Sequence, residues 1–348
     1  MGLPNPGATV RPKADAKARA CAVVVDKSRP VAKKLARVLV SAGYTVKTFE
    51  ELQTPLVQVI QAEPAVQQWL LVGESGAAAA IGAALSSKEA GKDAARRVFG
   101  VVYGGDGEID VPTVCESSGV LGTLGVRPGS QRLDLESELL GLASFLRGQP
   151  LLPLQAYLLW GAQAFSTGIT NIGGRDAAEA RLVKLCTDHL NVSKRLADSI
   201  GEVVHELITN AMYDAPVDQK GRPLYAHDRT APIELPAEDR VIFRYGTDGS
   251  RLVVETSDRF GRLRRSDLLR SLRRAASGQV NRGPGGAGIG LSLVCRTAAT
   301  VQVDVEAGVR TRVTAVLDLE PARSGGSDGP RPGRSLIFPD LAPAPGST

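Results

Sequence analysis

Aromatic residues make up only 4% of this 348-residue chain, which holds two methionines, three histidines and four cysteines. Each scarcity excludes something. With so few aromatics, any core is built from Ala, Val, Leu and Ile. Cys21, Cys115, Cys186 and Cys295 are scattered without a CxxC pair, a pattern of reduced, buried thiols and not of a disulfide frame or zinc site. No run of about 18 apolar residues occurs, and the opening MGLPNPGATVRPKADAKARA lacks the apolar stretch of an export signal. Pro6 stands where an acylation pattern wants Ser or Thr. The expectation is a soluble, cytoplasmic protein without membrane contact.

What the chain does have is ordinary globular composition, 43% apolar and 23% charged, at a length that favours two domains. Its net charge of +5 is concentrated in the N-terminal segment and between Arg259 and Arg282, with little aromatic interleaving, so nucleic acid is not the expected partner. Residues 1–20, rich in Pro, Gly, Ala and Lys, and residues 321–348, rich in Pro, Gly and Ser, read as disordered tails. The second tail contains an apolar island, Leu336-Ile337-Phe338, which either docks on a partner or on the protein itself, or has no role.

Over residues 21–148, apolar runs at Ala22 to Val25, Tyr44 to Phe49, Trp69 to Val72, Val98 to Tyr103 and Leu121 to Val126 alternate with helical patterns. These patterns cover Ala32 to Ala42, Pro55 to Ala62, Gly76 to Leu85 and, less clearly, a stretch near Cys115. Such alternation predicts a parallel sheet covered on both faces, here a doubly wound, flavodoxin-like α/β domain. Ligands of such sheets sit at the strand ends. The order of elements resembles the receiver domain of bacterial response regulators. That family has an acidic pair after its first strand, a phosphoacceptor Asp after the third, Ser or Thr after the fourth, and Lys before Pro after the fifth. Here Lys27 follows Asp26, and the later strands end in Gly73-Glu74, Tyr103-Gly104 and Arg127-Pro128. With no Asp to phosphorylate and a lysine beside the one acid, the domain reads as a pseudo-receiver that is not phosphorylated. Glu74 either mimics a phosphorylated Asp or is an exposed loop residue.

Farther along, Lys194 to Tyr213 repeats apolar residues at steps of three and four (Leu196, Ile200, Val203, Val204, Leu207, Ala211), which predicts a helix with one core face. Glu202, Glu206 and Asn210 recur every four residues along another line of that helix. An amide oxygen and a carboxylate one turn apart suit a hydrated Mg²⁺ carrying phosphates, with Asn210 as ligand and Glu206 polarising a water or hydroxyl. Taken alone, most such pairs are solvated surface. Two later segments add weight: a strand, Leu252 to Thr256, running into Ser257-Asp258-Arg259-Phe260-Gly261, and a glycine cluster, Gly283 to Leu291, before a helical run to Ala299. An Asp at a strand end can accept the exocyclic amine of adenine. Glycines at a helix N-terminus let backbone N–H groups approach phosphate.

In this order the pieces resemble the N box (His205 to Ala211), G1 box (Asp258 to Gly261) and G2 box (Gly286 to Leu291) of the histidine-kinase-like (GHKL or Bergerat) ATPases, about 48 and about 28 residues apart. A closing strand, Val309 to Leu319, adds Thr311 after Gly308. The resemblance covers residues 151–320 and implies a Bergerat-type α/β sandwich that binds ATP and Mg²⁺. By it, Asn210 holds the metal, Glu206 is the general base, Asp258 reads adenine, and Gly261, Gly286, Gly288, Gly290 and Thr311 surround the nucleotide. The chain departs from the pattern twice. Phe260 and Arg262 take G1 glycine positions, and Tyr213 and Asp214 stand where relatives often have a basic residue or His that touches phosphate. Arg264, Arg265, Arg273, Arg274 and Arg282 either pair with phosphates in a closed lid or form the solvated face of a helix over Ser266 to Ala276, N-capped by Ser266-Asp267.

A histidine kinase would add a dimerising helical hairpin with a phosphoacceptor His. Neither His189 nor His227 lies in such a motif, and His205 either orients Glu206 or Asn210 or is an ordinary helix histidine. The layout is instead similar to the stand-alone anti-sigma-factor serine kinases of bacterial partner-switching systems. That resemblance implies a signalling protein that phosphorylates Ser or Thr on a regulatory protein partner. The pseudo-receiver then serves as a docking or dimerising module, with a homodimer as the compatible assembly. The competing expectation is a non-catalytic ATP-sensing interaction module, and a nucleic-acid binder comes third on charge alone.

Overall fold

In the computed structural model, which describes residues 19–87, 97–105, 109–117, 119–126, 135–218, 220–229, 231–277, 290–319 and 333–339, every apolar run of the N-terminal half is a strand. These are β1 (Ala20–Val25), β2 (Thr45–Phe49), β3 (Gln68–Glu74), β4 (Arg97–Gly104) and β5 (Val120–Gly125). All neighbours pair in parallel, in the order β2-β1-β3-β4-β5. The strands are followed in turn by α1 (Arg29–Ser41), α2 (Leu56–Gln61), α3 (Ala78–Ser86), the single turn α4 (Val111–Val114) and α5 (Leu135–Leu146). Leu35 and Leu39 of α1 and Leu139 and Leu142 of α5 pack with Ala22, Val24, Leu70, Val72 and Leu121 on one face of the sheet. Leu56, Ile60 and Ile81 pack with Val23, Leu71 and Val102 on the other. Burial on both faces explains why β1, β3 and β5 read as continuous apolar runs, whereas β2, at the edge, is exposed or half-buried throughout. Helix α5 is an addition to the helices that the run pattern predicts.

The described residues divide into two units, 19–152 with 333–339, and 153–319. In the second, β6 (Ala164–Ile169), α6 (Ile172–Asp188) and α7 (Lys194–Thr209) precede the hairpin of β7 (Val241–Thr247) and β8 (Arg251–Asp258). Then come α8 (Arg265–Ala276), α9 (Gly290–Thr297), β9 (Thr300–Glu306) and β10 (Arg310–Asp318). The sheet is antiparallel, in the order β9-β10-β8-β7-β6. Helix α7 starts at Ser193, whose hydroxyl accepts the Leu196 amide at 3.3 Å. Its apolar stripe, Ala197, Ile200, Val203, Val204 and Leu207, is fully buried, and it packs against α6, α9 and β8. Ser266-Asp267 is not the cap of α8. The carbonyl of Arg264 accepts the amides of Asp267 and Leu268 (3.0 and 3.3 Å), so the first turn closes one residue earlier and Ser266 lies inside it.

The tail reading is corrected at one place. Residues 335–337 form β11 (Ser335–Ile337), antiparallel to β5, with Leu336 opposite Thr123 and Ile337 opposite Gly122. The island docks on its own chain because two glycines let it come close. A Cβ on Gly122 would lie 2.3 Å from the Leu336 carbonyl oxygen, and one on Gly125 2.2 Å from that of Gly333. Ser335 Oγ accepts the Gly125 amide at 2.9 Å and donates to the buried Glu138 carboxylate. Residues 1–18, 320–332 and 340–348 lie outside the described residues. No described helix is long and apolar enough to cross a membrane. Cys21, Cys115, Cys186 and Cys295 are all free thiols, the first three buried.

Candidate functional site

At the carboxyl ends of β1, β3 and β4, where a doubly wound sheet places its ligands, Asp26 is buried and its charge is engaged internally. It accepts the Ser28 amide at 2.5 Å and the Tyr103 hydroxyl. Burial pushes the Tyr103 hydroxyl well above its ordinary range, and the bond to Asp26 and the charges of Asp26 and Glu74 add to this. Tyr103 therefore stays protonated and donates to Asp26 Oδ2. Glu74 closes β3, half-buried. Among the described residues no group of three His, Cys, Asp or Glu side chains could hold a metal ion.

The second unit holds a cavity of about 440 Å³, a size suited to a small molecule. Its walls come from segments far apart in the chain: Leu207, Asn210 and Asp214 at the end of α7, Arg229 in the following loop, Thr256 and Asp258 of β8, the inner face of α8, Gly290 of α9, and Thr311 of β10. Asp258 is the last residue of β8, and Thr311 stands directly opposite it in β10. Asp258 Oδ1 accepts the amides of Phe260 (2.8 Å) and Gly261 (3.3 Å). Burial pushes its carboxyl above the usual range, against those amides, which pull it down. Gly261 itself is not part of the cavity wall. It turns the chain under the β9–β10 connection with a φ of +60°, where a Cβ would lie 2.0 Å from the Glu306 carbonyl oxygen.

Of the line Glu202, Glu206 and Asn210, only Asn210 reaches the cavity wall, and Glu202 is exposed. The Glu206 carboxylate lies under the start of α9, where a Cβ on Gly290 would sit 1.9 Å from Oε2. Among the described residues, Glu206 Oε2 and Asn210 Nδ2 are buried without a hydrogen-bond partner. Buried polar atoms of this kind call for an explanation such as a ligand, an ion or water. Arg262 Nη1 and Ser271 Oγ, on residues that also line the cavity, share this condition. His205 faces away, with Nδ1 3.1 Å from Glu179 Oε2 of α6, so it is a helix histidine with an ordinary partner and orients neither Glu206 nor Asn210.

Asn210, Asp258, Gly290 and Thr311 thus come together, Glu206 lies just behind Gly290, and Gly286 and Gly288 fall outside the described residues. Of the arginines singled out from the sequence, Arg264 and Arg274 line the cavity, Arg265 and Arg273 do not, and Arg282 is outside the described residues. Sequence reasoning did not single out Arg229, Arg270 or Ser271, and it named Asp214 and Arg262 only as departures from the family pattern. For α8 a signal was available: Asp267, Arg270, Ser271 and Arg274 are spaced i, i+3, i+4 and i+7, one face of a helix. For Arg229 there was none, because a loop carries it to the wall.

No protein-family model and no curated protein matches this chain. Among solved structures it is similar to a chain of the SiaB-SiaC complex from Pseudomonas aeruginosa, at 15% identity and a TM-score of 0.32, over 44% of this chain and 88% of that one.

Proposed function

We propose that the cavity of the second unit binds ATP together with Mg²⁺, and that the protein is a signalling regulator acting on another protein. The observation that carries this reading is the convergence of Asn210, Asp258, Gly290 and Thr311 on one cavity from four separate segments. The residues fit the ligand. Asp258 offers a buried acceptor for an exocyclic amine. On the same wall, Arg262, Arg264, Arg270 and Arg274 offer forked donors suited to phosphate oxygens. The atoms of Asn210, Arg262 and Ser271 that have no partner among the described residues are ones a polar ligand in the cavity would satisfy. Asn210 would hold Mg²⁺ through its amide oxygen, and the ion would supply charge neutralisation on the phosphates. The antiparallel sheet backed by α6, α7 and α9 is then a Bergerat-type sandwich, and the β2-β1-β3-β4-β5 unit a flavodoxin-like pseudo-receiver.

The activity this supports is a serine/threonine protein kinase of the anti-sigma-factor type, with Glu206 polarising the hydroxyl of a regulatory protein in bacterial partner switching. A second reading, ATP bound as a signal without turnover, is favoured by one observation: Glu206 lies behind Gly290 and not on the cavity wall.

Calorimetric titration with Mg·ATP and Mg·GTP tests the site. Wild type is expected to bind ATP and discriminate against GTP, and Asn210→Ala and Asp258→Asn to weaken ATP by about tenfold or more. No binding by wild type sinks the proposal. ADP formation by wild type and not by Glu206→Ala supports the kinase, whereas binding with no turnover leaves the sensor.

A further inference from the structure

The end of α7 offers no cation to the cavity, yet a guanidinium stands there. From Asn210 to Asp214 the chain makes a π turn, closed by the Ala215 amide on the Asn210 carbonyl at 3.2 Å, an irregularity common at functional sites. The turn buries Tyr213 completely and leaves Asp214 on the cavity wall. The Tyr213 hydroxyl donates to the Ala231 carbonyl at 2.7 Å, and the Ala231 amide donates to Asp228 Oδ1 at 3.2 Å. These bonds tie the far end of the loop to the helix. Two residues before that tie, Arg229 reaches back to the wall. Its Nε donates to Asp214 Oδ1 at 3.2 Å, its Nη2 contacts Asp214 Oδ2, and the same Nη2 lies 3.4 Å from Asn210 Oδ1.

This arrangement sets up a competition. Asn210 Oδ1 is the oxygen that the nucleotide reading gives to the metal, and a guanidinium 3.4 Å from it would repel a divalent cation bound there. The counterion that a nucleotide would have to replace is Asp214. Asp214 is a single carboxylate whose ionised form is disfavoured by burial, whereas a polyphosphate presents several oxygens in the geometry that a guanidinium fork matches. The other acids of the wall are already engaged, Asp258 with two amides and Asp267 with Arg270 at 3.2 Å.

We propose that Arg229 binds the phosphate chain of the nucleotide, and that it leaves Asn210 and Asp214 to do so when the nucleotide enters. This rests on the nucleotide reading of the cavity. The loop, anchored by Tyr213, thereby supplies from a distance the cation that the end of α7 lacks.

The test is a comparison of ATP, ADP and adenosine, each with Mg²⁺, on the full chain carrying wild-type Arg229, Arg229→Ala or Arg229→Lys. Affinities are read by NMR chemical-shift titration, which reaches millimolar binding, and folding is checked by thermal melting. Arg229→Ala is expected to weaken ATP about tenfold or more, the loss of a charged hydrogen bond, and to leave adenosine unchanged. Arg229→Lys is expected to recover only part of the loss, because a point charge lacks the fork, and it stands in if the alanine variant does not fold. Unchanged ATP affinity, or equal losses for ATP and adenosine, overturns the role of Arg229 while leaving the nucleotide site standing. Failure of wild type to bind all three ligands overturns the nucleotide reading, and this proposal with it.

Discussion

Asp258 is a buried carboxylate whose charge costs the fold stability. Burial raises its carboxyl pKa above the ordinary value even though the amides of Phe260, Gly261 and Thr311 and the Thr311 side chain favour the charged form. A raised pKa means that the folded state holds the proton more tightly than the unfolded chain. The ionised carboxylate is therefore a cost at every pH above the folded pKa, and the cost is relieved as pH falls through that value towards the unfolded one. Asp258→Asn keeps an oxygen for the amides of Phe260 and Gly261 and removes the charge. It is expected to raise the stability of this domain near neutral pH by on the order of 1 kcal/mol, roughly 2–4 °C in melting temperature, and, on the proposed nucleotide reading, to weaken ATP binding. Melting curves from pH 4 to 8 check this. The gain should shrink at the acid end, and a variant less stable than wild type at pH 7 would refute the account. The candidate residues on α7 were legible because helical spacing is local: Glu206 and Asn210 fall on one line whatever the rest of the chain does. Which of them meets the cavity was not legible, because that depends on where Gly290 of α9 comes down.

Elements were legible in proportion to their length and regularity. The five parallel strands of the first unit and the helix α7 announce themselves by runs and periods that survive any packing. Strand β11 does not, for it is three residues long and lies in a sequence rich in Pro and Gly, so local pattern favours a tail. Its partner, β5, lies some two hundred residues earlier, and only that pairing makes a strand of it. The close approach at Gly122 provides a test. A methyl at this position would meet the Leu336 carbonyl, a backbone atom that cannot move without unpairing the strand. In Gly122→Ala the amides of Phe338 and Gly333, bonded to Leu121 and Val126 at 2.9 and 2.8 Å, are expected to lose hydrogen-exchange protection. Those of β1 and β3 should keep theirs. Retained protection at Phe338 would show that β5 tolerates the methyl by another route.

The whole molecule divides its chemistry unevenly between the two units. In the first, the acid at the sheet's ligand end is satisfied by Ser28 and Tyr103. In the second, several buried polar atoms around one cavity lack partners among the described residues. A ligand that binds only the folded second unit stabilises it by mass action, about 2.7 kcal/mol at a hundred times its Kd. Saturation with Mg·ATP is therefore expected to slow hydrogen exchange in α7, at the end of β8, at the start of α9 and around Arg229, with no change in β1 to β5. Protection appearing at the ends of β1, β3 and β4 instead would move the site to the other unit.

By itself the sequence determined the α/β class, the alternation of strands and helices in the first half, and Asn210 and Asp258 as residues to watch. These follow from composition, from periods of two and 3.6, and from short motifs, all of which act within a few neighbouring residues. Only the tertiary structure decided that Tyr103 covers Asp26, that residues 335–337 complete a sheet begun at residue 20, that His205 turns to Glu179, and that Arg229 reaches Asn210. Each of these is a contact between residues with no local relation. Its free energy comes from burial and from hydrogen bonds that exist only after the chain has brought the partners together.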